Sequence, residues 1–373
     1  MADRQCILCG ACMAVCPLLR ATGREELSPR AKSDLNRLLA EGAADLSGDA
    51  VARLAGLCLG CHRCKAVCPQ GVDVPEVVAQ LRAAHPDFRR WLWKTWLTHA
   101  GTLWPAGSAA AKAVPEGLAP EKFGPSLRML AGLSGGPGLT PLLEPVKFPD
   151  SCRGERMLLF AGCTATYVRK RWADTARRLL DGLGVEVLAA DFGCCGSGLS
   201  AVGLSAEAGV LAERNLAAWR AAGRPRVAVF CASCLEGLRA YRPDDSAEAE
   251  AWRKALTPLS IVLHDIEFVV SPHATSAIGY HHPCHAPEPD PDLALLRRAL
   301  GDRMVAATGK ECCGFGGVMR LGAPELSATV NAGCWAALQG AELVLTGCSA
   351  CATQLAATAP AGVTAGHWLE LIA

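Results

Sequence analysis

The chain has 373 residues, 51% of them hydrophobic, which is enough to bury a large core spread over two or three domains. Its formal net charge is +1 and its pI is near 7.5, so its charge gives no case for nucleic acid or an anionic membrane surface as a partner. No apolar run reaches the roughly 18 residues of a membrane span, and a ligand-type cysteine already stands at position 6, leaving no room for a cleavable signal peptide. The expectation is a cytoplasmic protein in a compartment that keeps thiols reduced.

Residues 1–85 carry two ferredoxin-type runs, Cys6-x-x-Cys9-x-x-Cys12-x-x-x-Cys16-Pro17 and Cys58-x-x-Cys61-x-x-Cys64-x-x-x-Cys68-Pro69. Two-residue gaps let successive thiolates converge on one small object, and the fourth cysteine, before proline, serves the other cluster. The spacing therefore predicts one cubane [4Fe-4S] cluster on Cys6, Cys9, Cys12 and Cys68, and a second on Cys58, Cys61, Cys64 and Cys16. A zinc ribbon would need only two C-x-x-C pairs and no repeated Cys-Pro. Between the runs, Leu35, Leu38, Leu39, Leu46, Val51 and Leu54 fit helical spacing from Ala31 to Leu57. Bacterial ferredoxins place short strands there, so an all-helical two-cluster domain is expected.

Residues 86–150 form a Trp/Gly/Pro-rich linker and docking segment. Trp91, Trp93, Trp96 and Trp104 lie on FRRWLWKTWLTHAGTLW. This stretch reads as a helix packing its Trp face on a neighbouring domain. A docking face for a partner subunit and a membrane-surface helix are the alternatives.

From residue 151 the chain repeats itself, with a first unit at 151–270 and a second at 271–373. The first runs through a strand (157–160), Cys163, a helix (169–180), a strand (185–188), Cys194-Cys195-Gly196, a helix (206–219), a strand (227–230) and Cys231-x-x-Cys234. The second follows the same order from Ile278 through Cys284, Cys312-Cys313-Gly314 and the strand 343–345 to Cys348-x-x-Cys351. Equivalent cysteines (163 and 284, 194 and 312, 231 and 348, 234 and 351) are 121, 118, 117 and 117 residues apart. The tails SIVLHDIEFVV and GVTAGHWLELIA align His264 with His367. Strands alternating with helices at this period mean a duplicated α/β unit with ligands just beyond strand ends. The fold class is α+β multidomain, an all-α ferredoxin domain followed by two α/β units.

Each repeat offers five thiols, one more than a cubane requires, and two of them are adjacent. Adjacent residues on extended backbone point apart, so the turn must bend sharply, and Gly196 and Gly314 supply that freedom. Cys152 and Cys334 fit neither pattern; Cys334 reads as a small core residue and Cys152 as incidental. His282 and His285 flank Cys284, and His285 is the candidate proton donor beside a substrate-reducing cluster, with a structural hydrogen-bonding role as the alternative. His62 neighbours the second ferredoxin run. GCCGSG and CCGFGG lack the order of a dinucleotide fingerprint, and no flavin or nicotinamide motif is found, so hydride chemistry would belong to a partner.

The five-cysteine repeat resembles the "CCG" cysteine-rich domain of heterodisulfide reductases and of the iron–sulfur subunits of glycolate oxidase, lactate-utilisation enzymes and anaerobic glycerol-3-phosphate dehydrogenase. The fusion of a helical ferredoxin to two such repeats resembles the single-chain form of this group over nearly the whole length. The resemblance implies up to two further, non-cubane four-iron clusters, on Cys163, Cys194, Cys195, Cys231 and Cys234 and on Cys284, Cys312, Cys313, Cys348 and Cys351. Flavoenzyme-associated members often lack a cysteine of one repeat. Both repeats are complete here, which tilts the cluster content toward the heterodisulfide type. Two functions follow. One is an electron-transfer subunit between an FAD-containing dehydrogenase of a 2-hydroxy acid (lactate or glycolate) and a quinone, cytochrome or ferredoxin-level acceptor, with a membrane or quinone-linked partner at the inner membrane face left open. The other is a catalytic subunit cleaving a disulfide at the non-cubane clusters. Zinc in one repeat is a third reading.

Overall fold

The computed structural model describes residues 6–42, 48–115, 124–134, 138–275, 277–305 and 310–373. The chain forms two compact units. One comprises Met1–Thr98, Gly198–Ala208 and Glu311–Ala337; the other comprises His99–Ser197, Gly209–Lys310 and Leu338–Ala373. Each unit thus draws on segments far apart in sequence.

Among its described residues the first unit is helical. Pro17 opens the helix Pro17–Thr22 directly behind Cys16, because proline's fixed φ and missing N–H suit a first helical turn. Pro29 does the same for Pro29–Ala40, where the Ser28 hydroxyl accepts the Ala31 N–H at 3.1 Å. The expected helical spacer is borne out as Pro29–Ala40 and Gly48–Gly56; Leu46 lies outside the described residues. The expected core face is different, however. Leu35, Leu38 and Leu39 are only half-buried, whereas Lys32 and Ser33 are buried. Val51, Ala55 and Leu81 close the core between Gly48–Gly56 and Val74–Ala84.

Phe88–Thr98 also belongs to this unit. Trp93 Nε1 donates to the Gly198 carbonyl at 3.1 Å, and its ring lies 6.4 Å from that of Phe315. Phe88 and Trp91 stack on each other at 5.4 Å on the exposed side. Arg82 is the unit's main clamp. It is buried, and its guanidinium donates to the carbonyls of Ala55, Gly56, Cys58 and Ala201. These include carbonyls that the end of Gly48–Gly56 leaves free.

The second unit holds the strands. They are β1 (Leu143–Lys147), β2 (Arg156–Phe160), β3 (Glu186–Leu188), β4 (Arg226–Val229), β5 (Leu256–Pro258), β6 (Glu267–Val270), β7 (Ile278–His281), β8 (Leu343–Thr346) and β9 (Thr364–His367). The first repeat makes a parallel sheet in the order β3-β2-β4-β5, and the second a parallel sheet β7-β8-β9. β1 and β6 pair antiparallel beside them. The near-continuous apolar runs of β2, β4 and β8 fit strands covered on both faces. In repeat two the outer strand is reduced to a parallel bridge, Ile278 to Met304.

The registers correct one expectation. Val229 pairs with Pro258, and Thr346, 117 positions later, pairs with His367. Pro258 is therefore the counterpart of His367, and His264 lies beyond the following helix, Leu259–Val262. The apolar pattern of the two tails matched at the wrong register.

Candidate metal centres

In the first unit the two ferredoxin runs share one backbone trace. Leu8 and Gly10 have φ of 55° and 79°, and their counterparts 52 positions on, Gly60 and His62, have 65° and 54°. Left-handed residues on both sides of the second cysteine curl each run around a point. Two of them are not glycine, a conformation that costs about 1 kcal/mol or more per residue. The Cys12 thiol is raised by burial and then by its neighbours Cys6, Cys9 and Cys68. Cys64 is pushed up to about 12 by burial first, then by Cys58, with Cys12 and Cys16 also adding. A void of about 30 Å³ is walled by Cys16, Cys58, Cys61 and Cys64 with Leu18, Leu27 and Lys32. Cys12 thus neighbours the three thiols set with it in the sequence reading, and the void brings together the other four. Backbone donors reach these sulfurs, among them Gly60 N–H to Cys58 Sγ at 3.5 Å and Val72 N–H to Cys68 Sγ at 3.3 Å, and the Lys65 backbone reaches Cys64. His62 faces Asp73, which also pairs with Lys65 at 2.6 Å.

In the second unit the order β3-β2-β4-β5 reverses between β2 and β4, and the Met304 bridge on the other side of β7 puts the matching reversal between β7 and β8, the places where open α/β sheets bind ligands. Cys163 follows β2, Cys231 follows β4, Cys284 follows β7 and Cys348 follows β8. The five thiols of repeat one form a continuous line of contacts, Cys163–Cys194–Cys195–Cys234–Cys231, and Cys231 goes on to Cys348 and Cys351. Cys194 is pushed up to about 12 by its hydrogen bond with Cys163, and Cys195 likewise by Cys194. Cys234 is raised by Cys195, whereas Cys231 is lowered by donors from Cys234 and Cys348 and then by Ser233 and Ser349. Thiols so crowded resist ionising together, and cationic iron removes that repulsion because coordinating thiols lose their protons. The two Cys-x-x-Cys segments exchange contacts: Ser349 Oγ donates to Cys231 Sγ at 3.2 Å, and Cys348 Sγ to Ser233 Oγ at 3.4 Å.

Both Cys-Cys-Gly turns need their glycine. Gly196 and Gly314 have φ of 79° and 76°, and a Cβ on Gly314 would lie 2.5 Å from the Ser327 carbonyl oxygen. Cys312 and Cys313 belong to the first unit, and Cys284, Cys348 and Cys351 to the second. Cys152 and Cys334 are buried, and burial raises the Cys334 thiol. His285 is half-buried behind Cys284. His282 is held between Glu288 at 2.9 Å and Asp290 at 3.0 Å.

Two supporting residues escaped the sequence reading. Asn215 donates to the Cys194 carbonyl at 3.0 Å and accepts the Gly193 N–H at 2.7 Å. Asn331, 116 positions later, donates to the Cys313 carbonyl at 3.0 Å. The signal was present: Asn215-x-x-x-Trp219 recurs as Asn331-x-x-x-Trp335.

Sites made wholly of thiols, set on curled loops and at the switch points of parallel sheets, define an iron–sulfur protein. Residues 3–72 match the 4Fe-4S dicluster domain, and residues 157–239 and 278–356 each match the cysteine-rich domain. The chain belongs to the family of iron–sulfur proteins that join these two domain types. It is 25% identical to the probable glycolate oxidase iron–sulfur subunit of Bacillus subtilis, over 91% of this chain and 85% of that one. It is 24% identical to the glycolate oxidase iron–sulfur subunit of Escherichia coli, over 99% and 93%. With one of the subunits of the dihydromethanophenazine:CoB–CoM heterodisulfide reductase of Methanosarcina acetivorans it shares 27%, over 87% and 81%. No described helix is long and apolar enough to cross a membrane.

Proposed function

We propose that the chain is the electron-transferring subunit of an oxidoreductase complex. It takes electrons from an FAD-containing dehydrogenase of a small 2-hydroxy acid, such as lactate or glycolate, and passes them singly to a quinone, cytochrome or ferredoxin-level acceptor. The observation that carries this reading is the continuous line of thiols from Cys163 to Cys351, buried from Cys195 onward, with no nucleotide-binding motif in the sequence. Relatives named as subunits of glycolate oxidase support it. The ligand sets are those of the sequence: Cys6, Cys9, Cys12 and Cys68; Cys58, Cys61, Cys64 and Cys16; and the five cysteines of each repeat. The domains divide at 1–85, 86–150, 151–270 and 271–373. Clusters in these sites supply one-electron chemistry. The chain's part is to hold the thiolates, bury them and aim N–H and O–H donors at their sulfurs.

A second reading is favoured by the reciprocal contacts of Ser349 with Cys231 and Cys348 with Ser233, which give two equivalent sites side by side. A disulfide substrate would meet one site per sulfur, with His285 as proton donor, and a relative named as part of a heterodisulfide reductase accords with this. Anaerobic purification and iron assay test both readings: about sixteen irons per chain are expected for four four-iron clusters, and about eight would remove the non-cubane pair. Stoichiometric zinc would give one repeat a structural ion instead. Capture from native extract then separates the readings. A co-purifying FAD dehydrogenase supports the relay; oxidation of the reduced clusters by a disulfide, without such a partner, supports catalysis.

A further inference from the structure

Lys32 sits on the apolar stripe of Pro29–Ala40, one turn before Leu35 and two before Leu39, and is only 4% exposed. Its ammonium donates to the Leu27 carbonyl, the one acceptor found for it among the described residues, although it has three N–H groups to place. The head group instead borders the void walled by Cys16, Cys58, Cys61 and Cys64, and Cys58, Cys16 and Cys64 are the groups it faces that would carry negative charge as iron-bound thiolates. A buried ammonium is costly unless a charge answers it. In the other thiol set Cys9 is exposed, and among the described residues the charges acting on Cys12 are those of Cys6, Cys9 and Cys68. Arg82, a second buried cation of this unit, faces Cys58 but commits its donors to backbone carbonyls, and a third, Arg320, faces Cys313.

We propose that Lys32 is a fixed counter-charge for the cluster held by Cys16, Cys58, Cys61 and Cys64, and that it sets this cluster's reduction potential above that of the cluster on Cys6, Cys9, Cys12 and Cys68. The proposal rests on the ligand sets above. Reduction adds one electron from a donor such as dithionite, no bond breaks, no proton is taken up, and the site with its four thiolates goes from −2 to −3. A nearby cation favours the more negative state. Burial alone would order the two clusters the other way, because the more highly charged state is harder to bury. Lys32 therefore decides which cluster holds the first electron.

The test is an anaerobic redox titration of the full chain followed by electron paramagnetic resonance, on wild type, Lys32→Met, Lys32→Gln and Lys32→Arg. Iron assay and the two cubane signals of the wild type check the ligand sets independently of Lys32. In Lys32→Met and Lys32→Gln, one cluster is expected to lose at least tenfold in its reduction equilibrium, about 59 mV for one electron. The other cluster should hold its value, and Lys32→Arg should stay near wild type. Unchanged potentials in fully loaded Lys32→Met and Lys32→Gln would overturn the proposal. So would an equal shift of both clusters, or a shift in Lys32→Arg as large as in Lys32→Met. Should Lys32→Met load incompletely, Lys32→Gln against Lys32→Arg decides by the same criteria.

Discussion

The two repeats share their strands and cysteines but end their central row differently. In repeat one the row across β2, β4 and β5 is Phe160, Val229 and Pro258. In repeat two the matching row across β7, β8 and β9 is His281, Thr346 and His367. Every apolar side chain of the first row has a hydrogen-bonding one in the second. One position further on, Phe230 in repeat one stands where repeat two has Gly347. The space goes to Asp292, whose Oδ2 occupies the place a Gly347 Cβ would take. Around it, Ser260 Oγ donates to Asp292 Oδ1 at 2.5 Å, Tyr280 donates to Asp290 at 2.9 Å, and His281 meets Thr346 at 3.1 Å. Duplication kept the parallel strands and the cysteine spacing and let the row behind them diverge. One row is apolar and the other carries groups that answer to pH, and two of those, Asp292 and His367, also reach Cys231.

The largest test of that contrast is pH itself. Burial, then the neighbouring Asp290 carboxylate, push Asp292 up to about 8 from an ordinary 3.8. Between those values the folded protein keeps a proton that the unfolded chain has lost, so stability from this group is complete at the acid end and falls as pH rises. The slope is about 1.4 kcal/mol per pH unit from about pH 4 to about 8. Asp292→Asn keeps the neutral shape at every pH and should remove the slope, read as the urea midpoint of the loaded protein against pH. A slope that survives in Asp292→Asn would place the titration elsewhere. The next effect is steric. Gly347→Ala puts a methyl group against Asp292 and should cost about 3 kcal/mol. In Asp292→Ala the same substitution should be tolerated, a coupling measurable by a double-mutant cycle.

The thiol sites were legible in the sequence because iron imposes local spacing, and both the Cys-x-x-Cys gaps and the glycine after each cysteine pair are local facts. The helical spacer and the repeat were legible for the same reason: periodicity and self-similarity need no tertiary information. Lys32 was missed although it stands on the stripe with Leu35 and Leu39, because a lysine there is by default read as solvated. His264 was set against His367 because two apolar tails can be slid past one another until a histidine matches, and only strand register shows that Pro258 is the true counterpart. Nor does any local pattern say that residues 198–208 and 311–337, which lie inside the repeats, join the helical unit. That is decided by which apolar faces meet.

The smallest effects come from exchanging single members of the row. Val229 is buried and sits between Phe160 and Pro258, so Val229→Thr brings a hydroxyl in with no polar neighbour in its row. Desolvating that hydroxyl should cost about 2 kcal/mol. The reverse exchange, Thr346→Val, has nearly the same shape and withdraws only the Oγ1 that meets His281 Nδ1 at 3.1 Å. It should cost about 1 kcal/mol, the net worth of one hydrogen bond. The two substitutions differ in sign of polarity but not in volume, so packing predicts equal costs for them and polarity predicts the larger cost in repeat one. Equal urea midpoints for the two variants would mean that the row diverged without consequence. A larger loss in Val229→Thr would mean that the row of repeat one takes no polar group without cost, whereas that of repeat two was rebuilt around polar ones.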